Sequence, residues 1–264
     1  VPEGDSVFLA AKQLHDALAG QSLTVSDLRV PAHATADLTG RQVLDVTPRG
    51  KHLLTRIEGG LTLHTHLRME GRWRVFPTGA PWHGGPASQI RAVLGNATNT
   101  AVGYRLGVVE LLPTAAEPRI VGHLGPDLLG PDWDPAEAVR RLTADPRRGF
   151  AEALLDQRNL AGIGNVYANE LCFIAGVSPW TPVADVAELD RVVRLAHHLL
   201  TVNRLQHGHV TTGDPRPDRQ NWVYGRTHKP CRRCGRPIRT GRIGTPPKDR
   251  TALWCPRCQP RPQA

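Results

Sequence analysis

The chain has 264 residues, 40% hydrophobic and 22% charged, with 33 Lys and Arg against 24 Asp and Glu, a formal net charge of +9. These proportions suit a globular protein of one large or two modest domains and exclude collagen-like and wholly disordered chains. No apolar run approaches the roughly 18–20 residues of a membrane span, and the acidic start Val1-Pro2-Glu3-Gly4-Asp5 argues against a secretory signal.

Predicted elements begin near the chain start. Val7, Phe8, Ala11, Leu14 and Leu18 recur at helical spacing. They predict a helix over 6–18, with Asp5 or Ser6 as its cap and Gly20 at its end. Pro2 stands just before it. A proline at a free N-terminus is a secondary amine, and terminal amines titrate near pH ~7.7–8. Such an amine is partly neutral at physiological pH and can attack a sugar C1′ to give a Schiff base. Glu3 beside it could move the protons. The plainer reading is a proline at a helix start.

From 25 to 112 the texture changes. Segments 52–57, 61–65, 72–76, 102–105 and 108–112 read as strands, and Gly59-Gly60 marks a hairpin between the first two. Many short strands with turn residues predict a β-sandwich or barrel. After Pro126 the chain turns helical, with helices predicted over 134–142, 150–155, 165–173 and 186–203. The loop Leu160-Ala161-Gly162-Ile163-Gly164-Asn165 leads into the third. Its glycines allow close backbone approach, and Asn165 either caps the helix or donates to a phosphate. Cys172 lies in an apolar stretch and reads as a packing thiol.

The charge is concentrated at the end. Residues 201–264 hold 14 Lys and Arg against 3 Asp and Glu, a balance of +11, which leaves −2 for the first 200. Most carriers are arginines, whose planar fork suits phosphate, so a polyanion partner follows, nucleic acid first. The plain alternative is a charge that serves solubility. Within this stretch, Cys231-x2-Cys234 and Cys255-x2-Cys258 have the spacing of one tetrahedral zinc site with a hairpin between the pairs, a zinc ribbon. Disulfides are the alternative, and a reducing compartment is expected.

Several of these stretches, in this order, resemble one family, the formamidopyrimidine-DNA glycosylases and endonucleases VIII. Pro2-Glu3-Gly4-Asp5 is similar to the endonuclease VIII start. Arg49-Gly50-Lys51-His52-Leu53-Leu54 resembles the hairpin that carries the family's essential lysine. Residues 154–157 and 161–170 resemble its helix–two-turn–helix motif. Thr211-Thr212-Gly213-Asp214, Trp222-Val223-Tyr224-Gly225-Arg226 and Cys255-Pro256-Arg257-Cys258-Gln259 complete the likeness.

The resemblance implies an α+β multidomain fold: an N-terminal helix plus β-sandwich over 1–115, a helix–two-turn–helix block over 122–222 and a zinc ribbon over 223–264. It implies Pro2 as nucleophile, Glu3 as proton carrier and Lys51 in the catalytic pocket. Asn165 and Arg250 would grip phosphates, Met69 would fill the gap left by a flipped base, and His66 would help hold the strand. Met69 is the chain's single methionine, and core filler is its plainer reading. One structural Zn²⁺ on Cys231, Cys234, Cys255 and Cys258 is implied, with damaged DNA as the partner. A monomer is expected, away from membranes, in the cytoplasm and at the nucleoid in a bacterium. The implied activity is glycosylase and AP lyase on oxidised bases, pyrimidines preferred, by β- and then δ-elimination. Oxidised purines, or DNA binding without catalysis, are the alternatives. Two residues depart from the pattern: Val1 precedes the proline, so a mature chain starting at Pro2 is expected, and Ser6 stands where related members often carry Glu.

Overall fold

The computed structural model describes residues 1–247 and 249–261. Lys248 and the last three residues of the expected ribbon, 262–264, lie outside the described residues. The chain divides into two compact units, Val1–His123 and a second starting at Leu124.

The first unit opens with helix α1 (Gly4–Leu18), which buries Val7, Ala10, Ala11, Leu14 and Leu18 on one face. Its opposite face carries a 2.7 Å Lys12–Asp16 ion pair. The helix starts two residues before the predicted point, with Glu3 as its N-cap residue, so Asp5 and Ser6 are helical rather than capping. Apolar periodicity missed this turn because the buried residues in it are Gly4 and Asp5.

Eight strands follow: β1 (Val25–Leu28), β2 (Val43–Arg49), β3 (His52–Ile57), β4 (Leu61–His66), β5 (Arg72–Pro77), β6 (Ile90–Gly95), β7 (Asn99–Tyr104) and β8 (Val108–Pro113). They form two four-stranded antiparallel sheets, ordered β2-β3-β4-β8 and β1-β6-β7-β5. Val43, Val46, Leu53, Ile57 and Leu63 of one sheet share a core with Trp73, Ala92, Leu94 and Ala101 of the other, joined by Leu14 and Leu18 of α1. Each such fully buried aliphatic side chain contributes roughly 1.5–3 kcal/mol. Strand β6 escaped the sequence reading because it is buried on nearly every residue and shows no alternation. The Gly59-Gly60 hairpin is as expected, both glycines with positive φ. A short helix, α2 (Pro118–Val121), follows Glu117. Arg56 holds that carboxylate in a fork, its Nε and Nη2 donating to the two oxygens at 2.9 and 2.8 Å.

The second unit contains α3 (Pro135–Thr143), α4 (Phe150–Leu155), α5 (Asn165–Ile174), α6 (Leu189–Asn203) and a hairpin of β9 (Arg239–Ile243) and β10 (Arg250–Trp254). Asp134 caps α3, its Oδ1 accepting from the Ala136 and Glu137 backbone at 2.9 and 3.2 Å. Helix α6 begins three residues later than predicted, because Val183–Asp185 forms a 3-10 turn and Glu188 is left-handed, with φ of 53°. Leu142, Phe150, Leu154, Tyr167, Leu171 and Leu200 pack as one core. Cys172 is buried in it, and burial pushes its thiol far above the usual range, as a packing residue requires.

Glu170 performs a separate task in this unit. Its fully buried carboxylate accepts three successive backbone N–H groups, from Trp222 (2.7 Å), Val223 (2.8 Å) and Tyr224 (2.8 Å), and the Thr211 hydroxyl. Burial pushes this carboxyl upward, and those four donors pull it down. Among the described residues no helix is long and apolar enough to cross a membrane.

Candidate active site and nucleic-acid interface

In the first unit, α1 lies antiparallel to β2. The Val43 carbonyl accepts from Gly20 N at 2.8 Å, just past the end of α1, and His15 Nδ1 accepts from Val46 N at 3.2 Å. From His15 back to Glu3 the helix rises about 18 Å at 1.5 Å per residue. From Val46 to Arg49, where β2 ends, an extended chain advances about 10 Å, and the turn at Gly50-Lys51 carries it a little further. Both paths run toward the same end of the sheet, so the start of α1 and the β2–β3 turn that carries Lys51 lie at that end. Pro2 is half-buried and Glu3 fully buried. Gly50, with φ of 56°, supplies the left-handed residue this two-residue turn needs.

The same end of the sheet gathers histidines. His52 is the register partner of His66, and Leu54 of His64, across β3 and β4. His66 Nδ1 accepts from Arg68 N at 2.9 Å, so the neutral ring carries its proton on Nε2 and is a donor there. Burial, then Arg68 and Lys51, depress His66 to about 4. His52 falls to about 3, by burial and then by His66, His64, His123 and Arg68. A proton on His64 Nδ1, facing Glu110 Oε2 at 3.4 Å, leaves His64 Nε2 to accept from His52 Nδ1 at 2.9 Å. Met69 follows on the turn after β4, next to the left-handed Arg68, and is 66% exposed. That exposure overturns the core-filler reading.

In the second unit, Gly164 is the N-cap of α5, and Asn165 is the first helical residue rather than the cap. The Asn165 amide turns to the ribbon instead, Nδ2 donating to Thr251 O at 3.1 Å. Thr251 follows Arg250, the exposed first residue of β10. Asn165 and Arg250 thus sit at one edge of this unit.

The four ribbon cysteines lie with all sulfurs within 4.8 Å of one another. Cys231 and Cys258 Sγ are 3.9 Å apart, Cys234 and Cys255 Sγ 3.3 Å. A disulfide needs about 2.05 Å, whereas a tetrahedral ion with metal–sulfur bonds near 2.3 Å spaces its sulfurs about 3.8 Å apart. The set therefore fits one metal ion, and the disulfide alternative fails. Backbone N–H groups of Arg233 and Cys258 point at Cys231 and Cys255 Sγ, at 3.4 and 3.5 Å. Gln259, fully buried, ties this knuckle to the helical block: its Oε1 accepts from Cys255 N at 3.0 Å and its Nε2 donates to Val177 O at 2.8 Å.

Several C-terminal arginines are engaged within their own unit. Arg233 lies over the Phe173 ring at 4.5 Å and donates to Phe173 O, and Arg226 and Arg232 donate to Pro230 O and Asn221 O. These cations brace the ribbon.

Residues 1–105 match the family described as the formamidopyrimidine-DNA glycosylase N-terminal domain, and residues 124–209 match the formamidopyrimidine-DNA glycosylase H2TH domain. The chain is 60% identical to a probable endonuclease 8 2 of Streptomyces coelicolor, over 99% of this chain and 95% of that one. It is 49% identical to the DNA-(apurinic or apyrimidinic site) lyase Nei2 of Mycolicibacterium smegmatis, over 98% and 99%. The chain belongs to the formamidopyrimidine-DNA glycosylase and endonuclease VIII family. The fold agrees: a crystal structure of the Lactococcus lactis formamidopyrimidine-DNA glycosylase with abasic-site DNA superposes with a TM-score of 0.81, covering 98% of this chain and 100% of that one at 23% identity.

Within this family fold, sequence reasoning overlooked four polar residues: His52, His64, Glu170 and Asn169. His52, Asn169 and Glu170 fall inside stretches that resemble the family, but no role of their own was legible there, because the partners that engage them across the fold are 12 to 84 residues away. Only His64, on a strand with His66 two residues on, gave a sequence signal, since residues two apart share a face of a strand.

Proposed function

We propose that the chain is a bifunctional DNA glycosylase and AP lyase that removes oxidised bases, pyrimidines preferred. The observation that supports this is the antiparallel run of α1 along β2, with the Pro2-Glu3 start and the Lys51 turn toward the same end of the sheet. In this reading the Pro2 nitrogen, as a free amine, attacks C1′ of a flipped nucleotide. The glycosidic bond breaks, and the base leaves with a proton. Loss of the amine proton leaves an N,O-acetal at C1′; its C1′–O4′ bond then breaks, O4′ taking a proton, and the ring-opened sugar is an iminium at C1′. That iminium acidifies the 2′ hydrogens; their removal expels the 3′ phosphate, and a second elimination expels the 5′ phosphate. Water then hydrolyses the Schiff base and frees Pro2. Glu3, buried, moves protons at the sugar. Lys51 and the Nε2–H of His66 hold phosphate, and Met69 enters the emptied stack, as an exposed unbranched apolar side chain can. Asn165 and Arg250 grip the flanking phosphates.

The metal at the four cysteines is zinc in this reading, and structural, since four protein thiolates leave no open position. The segments 1–115, 122–222 and 223–264 carry chemistry, helical grip and ribbon grip. The enzyme works as a monomer on damaged DNA, in the cytoplasm and at the nucleoid.

Borohydride trapping on duplexes with thymine glycol, 8-oxoguanine or an abasic site tests this. The expected result is a covalent adduct on protein whose intact mass begins at Pro2, fastest for thymine glycol. Pro2→Gly and Glu3→Gln should bind DNA yet lower single-turnover cleavage by roughly 10²-fold or more. No adduct with Pro2 exposed rejects the catalytic reading, and faster cleavage of 8-oxoguanine opposite cytosine reverses the base preference.

A further inference from the structure

Asn169 stands one turn beyond Asn165 on α5 and is buried, 1% exposed. Its Oδ1 accepts from Leu253 N on β10 at 2.6 Å. Its Nδ2 donates back to Asn165, at 2.6 Å to the carbonyl and 3.2 Å to the side-chain Oδ1, and lies 3.3 Å from Thr251 O. A buried amide with both ends engaged has one orientation, because the flipped form would face its oxygen to Thr251 O and its donor to Leu253 N–H.

That orientation is passed on. Asn169 offers a donor, so the Asn165 side chain must present Oδ1 to it and aim Nδ2 at the ribbon, where one hydrogen goes to Thr251 O. The second Nδ2 hydrogen then remains for a further acceptor. The same Asn169 amide fixes Leu253 and so the register of β10 on α5, and Arg250 is the first residue of that strand. We infer that Asn169 is a positioning residue that orients the Asn165 amide as a phosphate donor and locks it to the strand carrying Arg250, so that two phosphate grips act as one. This rests on the reading of Asn165 and Arg250 as phosphate contacts.

A double-mutant cycle on the whole metal-loaded protein tests it, with a duplex carrying a tetrahydrofuran abasic analogue and fluorescence anisotropy over a series of salt concentrations. Asn169→Asp keeps an acceptor for Leu253 N–H but offers Asn165 no donor, so the Asn165 amide turns over. Asn169→Ser, whose hydroxyl can donate and accept but is too short to span Leu253 N–H and Asn165 together, breaks the link without the charge and guards against misfolding. Each should weaken binding about five- to tenfold, the size of one lost charged-phosphate hydrogen bond, and, by loosening the Arg250 grip, lower the salt slope by up to about one. Asn165→Ala should weaken it equally, and the double variants no further.

Effects that add in the Asn165→Ala background, or Asn169 variants that bind like the parent while Asn165→Ala does not, overturn the inference alone. If Asn165→Ala itself binds like the parent, the phosphate role of Asn165 fails first and the inference with it.

Discussion

His66 shows how one hydrogen bond decides a side chain's chemistry. Arg68 N–H occupies Nδ1, so a neutral ring has only Nε2–H to offer an anion. Its depressed pKa, about 4, and that of His52, about 3, mean that both rings are neutral at pH 7. The consequence for stability has a definite sign. The unfolded chain takes up protons near the ordinary pH of ~6.5, whereas the folded chain does not until far lower. Stability should therefore fall as pH drops from about 6.5 toward 4 and level off below the folded values. Denaturant unfolding at pH 7, 6 and 5 reads this. His52→Asn, which removes one of the depressed groups, should flatten the slope. An unchanged slope would mean that these rings are not held neutral by the fold.

At the scale of elements, the strands and helices were legible where apolar and polar residues follow the element's period, as in α1 and in the alternating Leu61-Thr62-Leu63-His64 of β4, although β4 is buried on both faces. They were illegible where a buried strand lacks that alternation, as in β6, or where the buried residues are polar, as in the first turn of α1. The segment from Thr211 to Tyr224 is a third kind of case. It lacks helix and strand, yet Glu170 collects three of its N–H groups in a row. Sequence gives no warning of this, since a glutamate within a helix usually faces water. Glu170→Ala would leave those donors buried without a partner. It should cost about 3 kcal/mol or more, measured as a lower denaturation midpoint. Glu170→Gln, which keeps one acceptor oxygen, should cost less. Equal, small losses would show that water replaces the carboxylate.

For the whole molecule, the net charge predicts a polyanion partner without saying which cations meet it. Arg226, Arg232 and Arg233 donate to carbonyls of their own unit, and Arg233 also covers a ring, whereas Arg250 is proposed as a phosphate grip. Composition cannot separate the two uses, because both need a guanidinium: one for a carbonyl or ring, the other for phosphate. The ribbon core is small, chiefly Val223, Ile238, Leu253 and Phe173 around the cysteines. A cluster of that size does not stabilise a segment alone, so the metal should carry the fold there. Chelation with EDTA or phenanthroline should lower the melting temperature of the second unit and abolish DNA binding. The β-sandwich unit, with its own core, should keep its transition. A single transition that moves as a whole on chelation would show the two units to be energetically inseparable.

The antiparallel run of α1 along β2 is finally a constraint on chain length rather than on side-chain identity. Side chains between Glu3 and His15, or between Val46 and Lys51, can be exchanged as long as the buried face is kept. Adding or removing one residue is a different matter. In the helix it would shift Pro2 by about 1.5 Å and turn it by about 100°. In the strand it would move Lys51 by about 3.3 Å and send it to the opposite face. This stretch of the molecule should therefore tolerate drift in sequence and reject insertions, like a ruler whose markings can be repainted but not respaced.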